Sequence, residues 1–247
     1  MIQQAFINGF RLTSKLWWVL VLQIVLSLGS VSATLLRLYL GRSGPISFVI
    51  FIFSLILAVI NLGMLTAKTV FMDRYTNHEP LSKDIVFATI KQQANRLIAP
   101  AFYAGCLIAI LGFLAVILLV GAHSSLVKTS PLTVNPAVNG VFYIIRIIFT
   151  SLFSTFPIYF ALEKTPFILS CKRSIAYAVG HRKMSLALSI ISAGEIAIEL
   201  LASQFLSAQI LQWFKVIVIS CLGVYFSAVN YEYWKSGIQQ DHEPKKT

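Results

Sequence analysis

The sequence predicts an all-α, polytopic integral membrane protein with six transmembrane helices and additional interfacial amphipathic helices. Three observations support this fold class. Of the 247 residues, 57% are hydrophobic and only 12% are charged. The mean hydropathy is +0.79, well above that of an ordinary soluble domain. The apolar residues are gathered into runs of about 20, which at about 1.5 Å per residue match a hydrocarbon core of about 30 Å.

Each of the six apolar runs lies between polar or basic stretches. The first begins after Lys15 and contains no charged residue before Arg37. Because no soluble domain is left over between the runs, the whole chain from 1 to 247 is predicted to be a single membrane domain. The predicted spans are approximately residues 16–36, 46–67, 99–120, 138–162, 184–205 and 210–231.

Three shorter stretches have the periodicity of amphipathic helices that lie in the membrane interface. They cover approximately residues 2–14, 81–96 and 166–181. Each is followed by two predicted spans, so the chain divides into three helix-plus-hairpin units separated by about 80–90 residues. The alternative is that any six-span protein with basic inner loops looks periodic.

The first apolar run also has features of a cleavable signal peptide. Arg11 and Lys15 precede it, and the small residues Ser30-Val31-Ser32-Ala33 lie where a cleavage site would be. The run continues beyond these small residues, and the predicted repeat requires the first helix to stay. A retained first span is therefore predicted.

The distribution of basic residues predicts the orientation of the chain. Fifteen lysines and arginines fall in the segments on one side of the predicted spans, whereas the other side has only Arg37, Arg42 and Lys128. Cytoplasmic loops are the ones enriched in lysine and arginine. With six spans, both termini are therefore predicted to be cytoplasmic.

Four charged residues fall inside predicted spans, namely Arg146, Glu195, Glu199 and Lys215. The topology places them at overlapping depths, and an unpaired charge at that depth costs about 2.5–3.5 kcal/mol. Three interpretations follow. The residues form an interhelical ion-pair cluster that fixes packing, a polar pocket for a lipid head group or small solute, or a proton or ion relay. A relay would need a further acid, histidine or broken helix along a path, and none is apparent.

The densest group of basic residues in an amphipathic stretch consists of Lys172, Arg173, Arg182 and Lys183. The net charge of +11 resembles that of a nucleic-acid-binding protein. However, the basic residues flank apolar spans, where anionic phospholipid head groups are the nearer partner. Membrane lipids, and a membrane protein as a further partner, are therefore predicted, and nucleic acid is not.

Catalytic and metal-binding signatures are not found in the sequence. The four histidines lie in loops or in the tail without metal-ligand spacing, and the three cysteines are scattered. No phosphate-binding glycine loop, nucleophile elbow or HExxH motif occurs. The sequence therefore predicts a non-enzymatic protein with no metal and no cofactor.

One stretch of the chain resembles a known family. It reads Phe156-Pro157-Ile158-Tyr159-Phe160-Ala161-Leu162-Glu163, then Pro166, then Ser170-Cys171-Lys172-Arg173-Ser174 and Gly180-His181. Residues 150–190 are similar to the YciC-type inner-membrane family and to the membrane domain found beside glycerophosphodiester phosphodiesterases. The resemblance implies a bacterial inner-membrane protein of six spans, and it supplies no catalytic residues because 247 residues leave no room for the phosphodiesterase domain.

The predicted function is that of a non-catalytic inner-membrane protein. It contacts anionic lipid or a membrane partner through its basic cytoplasmic helices. The alternative is a small transporter or permease component that uses the four buried charges as a midplane site.

Overall fold

The computed structural model describes residues 2–39, 45–122 and 136–242, and all regular secondary structure in these ranges is helical. The all-α fold class is confirmed for this part of the chain. The helices are α1 (Ile2–Lys15), α2 (Trp17–Tyr39), α3 (Pro45–Thr76), α4 (Lys83–Ala122), α5 (Pro136–Leu152), α6 (Phe156–Ala161), α7 (Phe167–Gly180), α8 (Arg182–Phe205) and α9 (Ala208–His242).

The first two helices meet at a sharp bend. The axis of α1 is inclined by 75° to the first part of α2, and the bend lies at Leu16, which is fully buried. The Leu16 amide donates to the Leu12 carbonyl, and the Val19 amide donates to the Leu16 carbonyl. The chain therefore turns without leaving these backbone groups unpaired, and α1 can lie across the end of the bundle.

Three helical segments in the described residues are long and apolar enough to cross a membrane. The bent pair formed by α1 and α2 counts as a fourth if it is taken as one span. The protein is thus a multi-helix membrane protein. The predicted third span and the beginning of the fourth fall mostly on residues 104–142, whose side chains lie outside the described part. The three segments are Phe48–Thr76, Arg182–Phe205 and Trp213–Gly237.

The second amphipathic stretch and the third span were predicted as separate helices over 81–96 and 99–120. This boundary is wrong, because α4 runs without interruption from Lys83 to Ala122 and contains Pro100. The side chains of Ile90, Ala94 and Leu97 are buried at helical spacing up to the expected break. Their packing on α3 holds the helix together where proline removes one backbone hydrogen bond.

The predicted fourth span over 138–162 is not one helix. It is divided into α5 and the short α6, with a break at residues 153–155. Pro157 lies in the first turn of α6 and has no N–H to donate to the Phe153 carbonyl. The break is stabilised because Phe156 and Phe160 of α6 are buried, with α6 packed against α3 and α7.

Two other helices extend beyond their predicted bounds. The helix α3 continues past residue 67 to Thr76, because Phe71 and Met72 are fully buried. The polar segment after Tyr231 belongs to α9 as far as His242. Val229 and Tyr233 lie in one buried cluster with Ala5 of α1, and this contact supports the end of α9.

The main core lies where α2, α3, α4 and α9 meet, with Met64, Phe71 and Tyr231 among its buried side chains. Two glycines allow close helix crossings. A Cβ atom on Gly9 would lie 2.7 Å from Val229 Cγ2, and one on Gly63 would lie 2.5 Å from the Ile90 carbonyl oxygen. The backbones of α1 and α9, and of α3 and α4, are therefore nearly in contact at these positions.

Candidate functional site

The four charged residues predicted at overlapping depths lie together between α5, α8 and α9. Arg146 Nη2 of α5 is 2.5 Å from Glu195 Oε1, and its Nη1 is 3.3 Å from Glu199 Oε2. Lys215 Nζ of α9 is 2.6 Å from Glu199 Oε1. The two carboxylates of α8 therefore join three helices, and the cluster has two positive and two negative charges.

Helical spacing explains how α8 presents both carboxylates. Glu195 and Glu199 are one turn apart and so lie on the same face. The side chains of these glutamates are only 9% and 13% exposed, whereas those of Arg146 and Lys215 are 31% and 32% exposed. The anions are therefore held inside the helix packing, and the cations reach them from its edge, as long basic side chains do.

Free space beside the cluster is small. A cavity of about 10 Å³ lies against Glu195, Glu199 and Lys215. This volume admits about one water molecule, which is far less than a lipid head group needs. In the described part of the chain, the geometry thus matches an interhelical ion-pair cluster better than a pocket.

A line of hydroxyl groups runs along α8 towards the cluster. Ser189 Oγ lies 2.6 Å from Ser151 Oγ of α5, and Ser185 Oγ donates to the Ala178 carbonyl oxygen. The buried Ser192 Oγ has no hydrogen-bond partner among the described residues. The spacing of three to four residues between these serines places them on the face of α8 that continues to Glu195.

The four basic residues predicted to contact lipid do not behave alike. Arg173 pairs with Glu163, whereas Lys172, Arg182 and Lys183 are exposed and form no ion pair within the described ranges. Three unpaired cations therefore remain around α7 and at the beginning of α8. The sequence alone did not reveal the Glu163 partner, which precedes α7 by a short linker.

The helix α7 is anchored through its polar inner face. Ser174 Oγ donates to the Leu152 carbonyl oxygen at 2.8 Å, and it lies 3.0 Å from Thr155 Oγ1 at the break between α5 and α6. Ser170 and Ala178 lie on the same buried face. Because this face is fixed inward, the side chains on the opposite face of α7 must point away from the bundle.

Aromatic groups close the junction between α7 and α8. The His181 ring stacks on Tyr177 with the centroids 4.0 Å apart, and it meets the edge of Tyr233 of α9 at 5.7 Å. Burial raises the pKa of the Tyr177 phenol, and the neighbouring Tyr233 and Tyr159 raise it further. Tyr177 is therefore a neutral packing group, and its hydroxyl has no hydrogen-bond partner among the described residues.

Arg96 joins α4 to the linker before α7, a contact that sequence reasoning missed. Its Nη2 donates to the Thr165 carbonyl oxygen at 3.4 Å, and its guanidinium lies 4.2 Å from the centroid of the Phe160 ring. Burial lowers the pKa of the Arg96 guanidinium, although an arginine stays charged at neutral pH. The residue therefore acts as a cationic clamp between the two amphipathic stretches.

Metal-binding and thiol chemistry find little support in the described ranges. No group of three or more metal-ligating side chains occurs there. Cys171 and Cys221 are free, and burial raises the pKa of the Cys171 thiol, which keeps it in the less reactive protonated form.

The apolar helices and the ion pairs between them define a multi-helix membrane protein with a charged interhelical cluster. No family model, no curated protein and no solved structure matches the chain. The resemblance of residues 150–190 to the YciC-type family therefore stays a prediction.

Proposed function

We propose that the protein is a non-catalytic integral membrane protein that binds anionic lipid head groups through basic helices at the cytoplasmic interface. The observation that supports this proposal is the outward face of α7. On this face, exposed basic and exposed large apolar side chains stand side by side.

The spacing on α7 is that of one helical stripe. Ile168, Lys172, Ile175 and Val179 follow one another at intervals of three or four residues. Ile168 is 70% exposed and Val179 is 54% exposed. In water, exposed apolar side chains of this size are not stabilised by burial. At a membrane interface, they enter the acyl region while the lysine ammonium extends to the phosphates.

The other two amphipathic stretches have comparable faces. On α1, Ile7 and Phe10 are exposed beside Arg11. At the beginning of α4, Phe87 is 73% exposed and lies one turn from Lys83 and one turn from Lys91. Each near-surface lysine or arginine contributes about 1 kcal/mol of attraction to anionic lipid. Together, the three faces favour binding of all three amphipathic stretches to the same membrane surface.

The proposed topology has six spans in three helix-plus-hairpin units, with both termini cytoplasmic. Two related linkers support the equivalence of the second and third units. His78 and Lys164 have φ values of 58° and 54°, and each stands two residues before a proline, Pro80 and Pro166. The uninterrupted α4 makes the second unit different from the other two.

The location proposed is the bacterial inner membrane. Its support is the resemblance of residues 150–190 to the YciC-type family, together with the excess of lysine and arginine on one side of the spans. Accessibility of single cysteines placed at Lys172 and at Lys128 in sealed inverted vesicles tests the orientation. Labelling from outside is expected at the first position and not at the second.

Native mass spectrometry tests lipid binding. The protein is mixed with phosphatidylglycerol and phosphatidylcholine of identical acyl chains. The double variant Lys172→Glu/Lys183→Glu is expected to lose most of its preference for phosphatidylglycerol. The control Glu163→Gln/Arg173→Gln removes an existing ion pair without changing the net charge, and it should keep the preference. An unchanged preference in the first variant would refute the proposal.

A second candidate function is a small transporter or permease component. The observation that favours it is the line of Ser185, Ser189 and Ser192 leading to Glu195 on one face of α8. Glu195→Gln separates the two candidates. Loss of uptake with unchanged helical circular dichroism would favour transport, whereas a fall in melting temperature alone would favour an ion-pair cluster that stabilises the bundle.

A further inference from the structure

We infer that a cleft between α1, α3 and α9 binds the head group of an aminophospholipid, with its phosphate at Arg11 and Lys15 and its primary ammonium at Glu232. This inference rests on the proposed function for the orientation of the chain in the membrane. It concerns a different site from the α7 face, and it specifies the chemistry of the lipid.

The cleft is a cavity of about 210 Å³. Its base is formed by the last turn of α3, where Thr76 Oγ1 lies 2.7 Å from the Tyr231 hydroxyl. Tyr231 in turn donates to Asp73 Oδ1 at 2.9 Å. These contacts fix the base of the cleft. The lining residues are Asn8, Arg11, Leu12, Lys15, Tyr75, Thr76 and Glu232.

Arg11 and Lys15 form the positive wall. They are one turn apart on α1 and so share a face, and both are exposed. Neither forms an ion pair within the described residues. On the other side of α1, Gly9 lies against Val229 so closely that α1 has little freedom to shift. Two cations one turn apart on this helix suit one phosphate group, since guanidinium and ammonium groups are the usual phosphate ligands.

Glu232 forms the negative wall. Its carboxylate accepts a hydrogen bond from the Asn8 side chain. The Asn8 Oδ1 atom accepts one from Gln4 Nε2 at 3.1 Å, which leaves the Asn8 amide nitrogen to face the carboxylate. The Lys235 ammonium, one turn further along α9, also attracts the Glu232 carboxylate, and it lies 5.8 Å from the centroid of the Tyr231 ring. Within the described ranges, Glu232 forms no direct ion pair, and Arg11 and Lys15 are not among the residues in salt-bridge contact with it.

Opposite charges that face each other across a cleft without pairing match a zwitterion. A phosphate alone would satisfy Arg11 and Lys15 and be repelled by Glu232. Phosphatidylethanolamine has both groups, and its ammonium supplies three N–H donors to a carboxylate. Phosphatidylcholine has the same charges but no N–H donor.

The site is also at head-group depth, because Trp17 follows Lys15 closely and is 62% exposed, as expected for an interfacial tryptophan.

The test measures retention of phosphatidylethanolamine and phosphatidylcholine of identical acyl chains on the purified full-length protein by native mass spectrometry. The wild-type protein is expected to prefer phosphatidylethanolamine about tenfold, equivalent to about 1.4 kcal/mol. Glu232→Gln keeps an acceptor for Asn8 and should abolish this preference while still binding both lipids. Arg11→Gln/Lys15→Gln should weaken retention of both lipids about tenfold.

The controls separate this site from the α7 face. Lys172→Glu/Lys183→Glu should keep the preference for phosphatidylethanolamine even if it alters binding of phosphatidylglycerol. On the wild-type protein, N-methylation of the ethanolamine group should weaken retention at each step, a result that does not depend on any variant folding. Equal retention of the two lipids by the wild-type protein, or an unchanged preference in Glu232→Gln, would overturn the inference.

Discussion

Lys215 Nζ of α9 lies 2.6 Å from Glu199 Oε1 of α8, and the other oxygen of the same carboxylate lies 3.3 Å from Arg146 Nη1 of α5. A single side chain thus holds two cations from two neighbouring helices. Among the described residues, Glu195 forms an ion pair with Arg146 alone. Glu199 is therefore the central residue of the cluster.

Glu199→Gln is expected to destabilise the protein by about 2 kcal/mol, because it leaves a net positive charge between three apolar helices. In detergent, the apparent melting temperature should fall by about 5 °C. Adding Lys215→Met to this variant removes the unpaired cation and should recover part of the loss.

The control for this prediction is Glu163→Gln. Its partner Arg173 is 46% exposed, and exposed ion pairs contribute about 0–1 kcal/mol. The melting temperature should therefore change little. Equal losses in Glu163→Gln and Glu199→Gln would contradict the central role of Glu199.

Gly63→Ala is expected to destabilise the crossing of α3 and α4 by about 1–3 kcal/mol. The added methyl group would lie 2.5 Å from the Ile90 carbonyl oxygen and 2.9 Å from the Ala94 methyl group. Gly194→Ala is the matched control, since a Cβ atom at that position would meet nothing within 4 Å and alanine favours a helix. Thermal unfolding in detergent should show a lower melting temperature for Gly63→Ala and no decrease for Gly194→Ala.

Lys68→Met is expected to raise the melting temperature. Lys68 is only 6% exposed, and its ammonium donates to the Gly223 carbonyl oxygen at 3.1 Å. It forms no ion pair in the described ranges, and an apolar side chain of similar length avoids the cost of burying that charge, with a gain of about 1 kcal/mol. Lys83→Met, at an exposed position, should change stability by less than about 0.5 kcal/mol. A lower melting temperature for Lys68→Met would show that the charge is needed for folding.

His78→Gly is expected to stabilise the end of α3 by about 0.5–1 kcal/mol, because glycine adopts a left-handed conformation without the steric cost that histidine incurs. His78 has a φ of 58°, and the Glu79 amide donates to the Arg74 carbonyl oxygen at 2.8 Å, as in a helix ending with a left-handed residue. Asn77→Gly, one residue earlier, should not raise the melting temperature. If both variants behave alike, the backbone conformation is not the cause.

The four charged residues of the cluster show which tertiary contacts the sequence predicts and which it does not. Hydropathy placed Arg146, Glu195, Glu199 and Lys215 at similar depths, and the cost of an unpaired charge in a membrane predicted that they would meet. Which oxygen pairs with which nitrogen was not predictable, because it depends on the rotation of α5 and α9 about their axes. The pairing of Arg173 with Glu163 was missed because it depends on the path of the linker that joins α6 to α7.

The helix boundaries show a second limit of prediction from the sequence. Pro100 and Pro157 are both prolines near or within predicted spans, yet α4 continues through the first and the chain breaks just before the second. The difference lies in the packing of their surroundings. Leu97, three residues before Pro100, is buried against side chains of α6 and α3, and α4 is unbroken there. The break before Pro157 is instead stabilised by Thr155, which hydrogen-bonds to Ser174 of α7.

The sequence by itself determined the all-α membrane class, the amphipathic character of α1 and α7, and the shared depth of four charges, because hydropathy and periodicity are local properties of the chain. Only the tertiary structure decided the continuity of α4, the contact of Gly63 with α4, and the cleft that sets Arg11 and Lys15 opposite Glu232. These features join residues far apart in the chain. Their geometry depends on how whole helices pack, which no local pattern specifies.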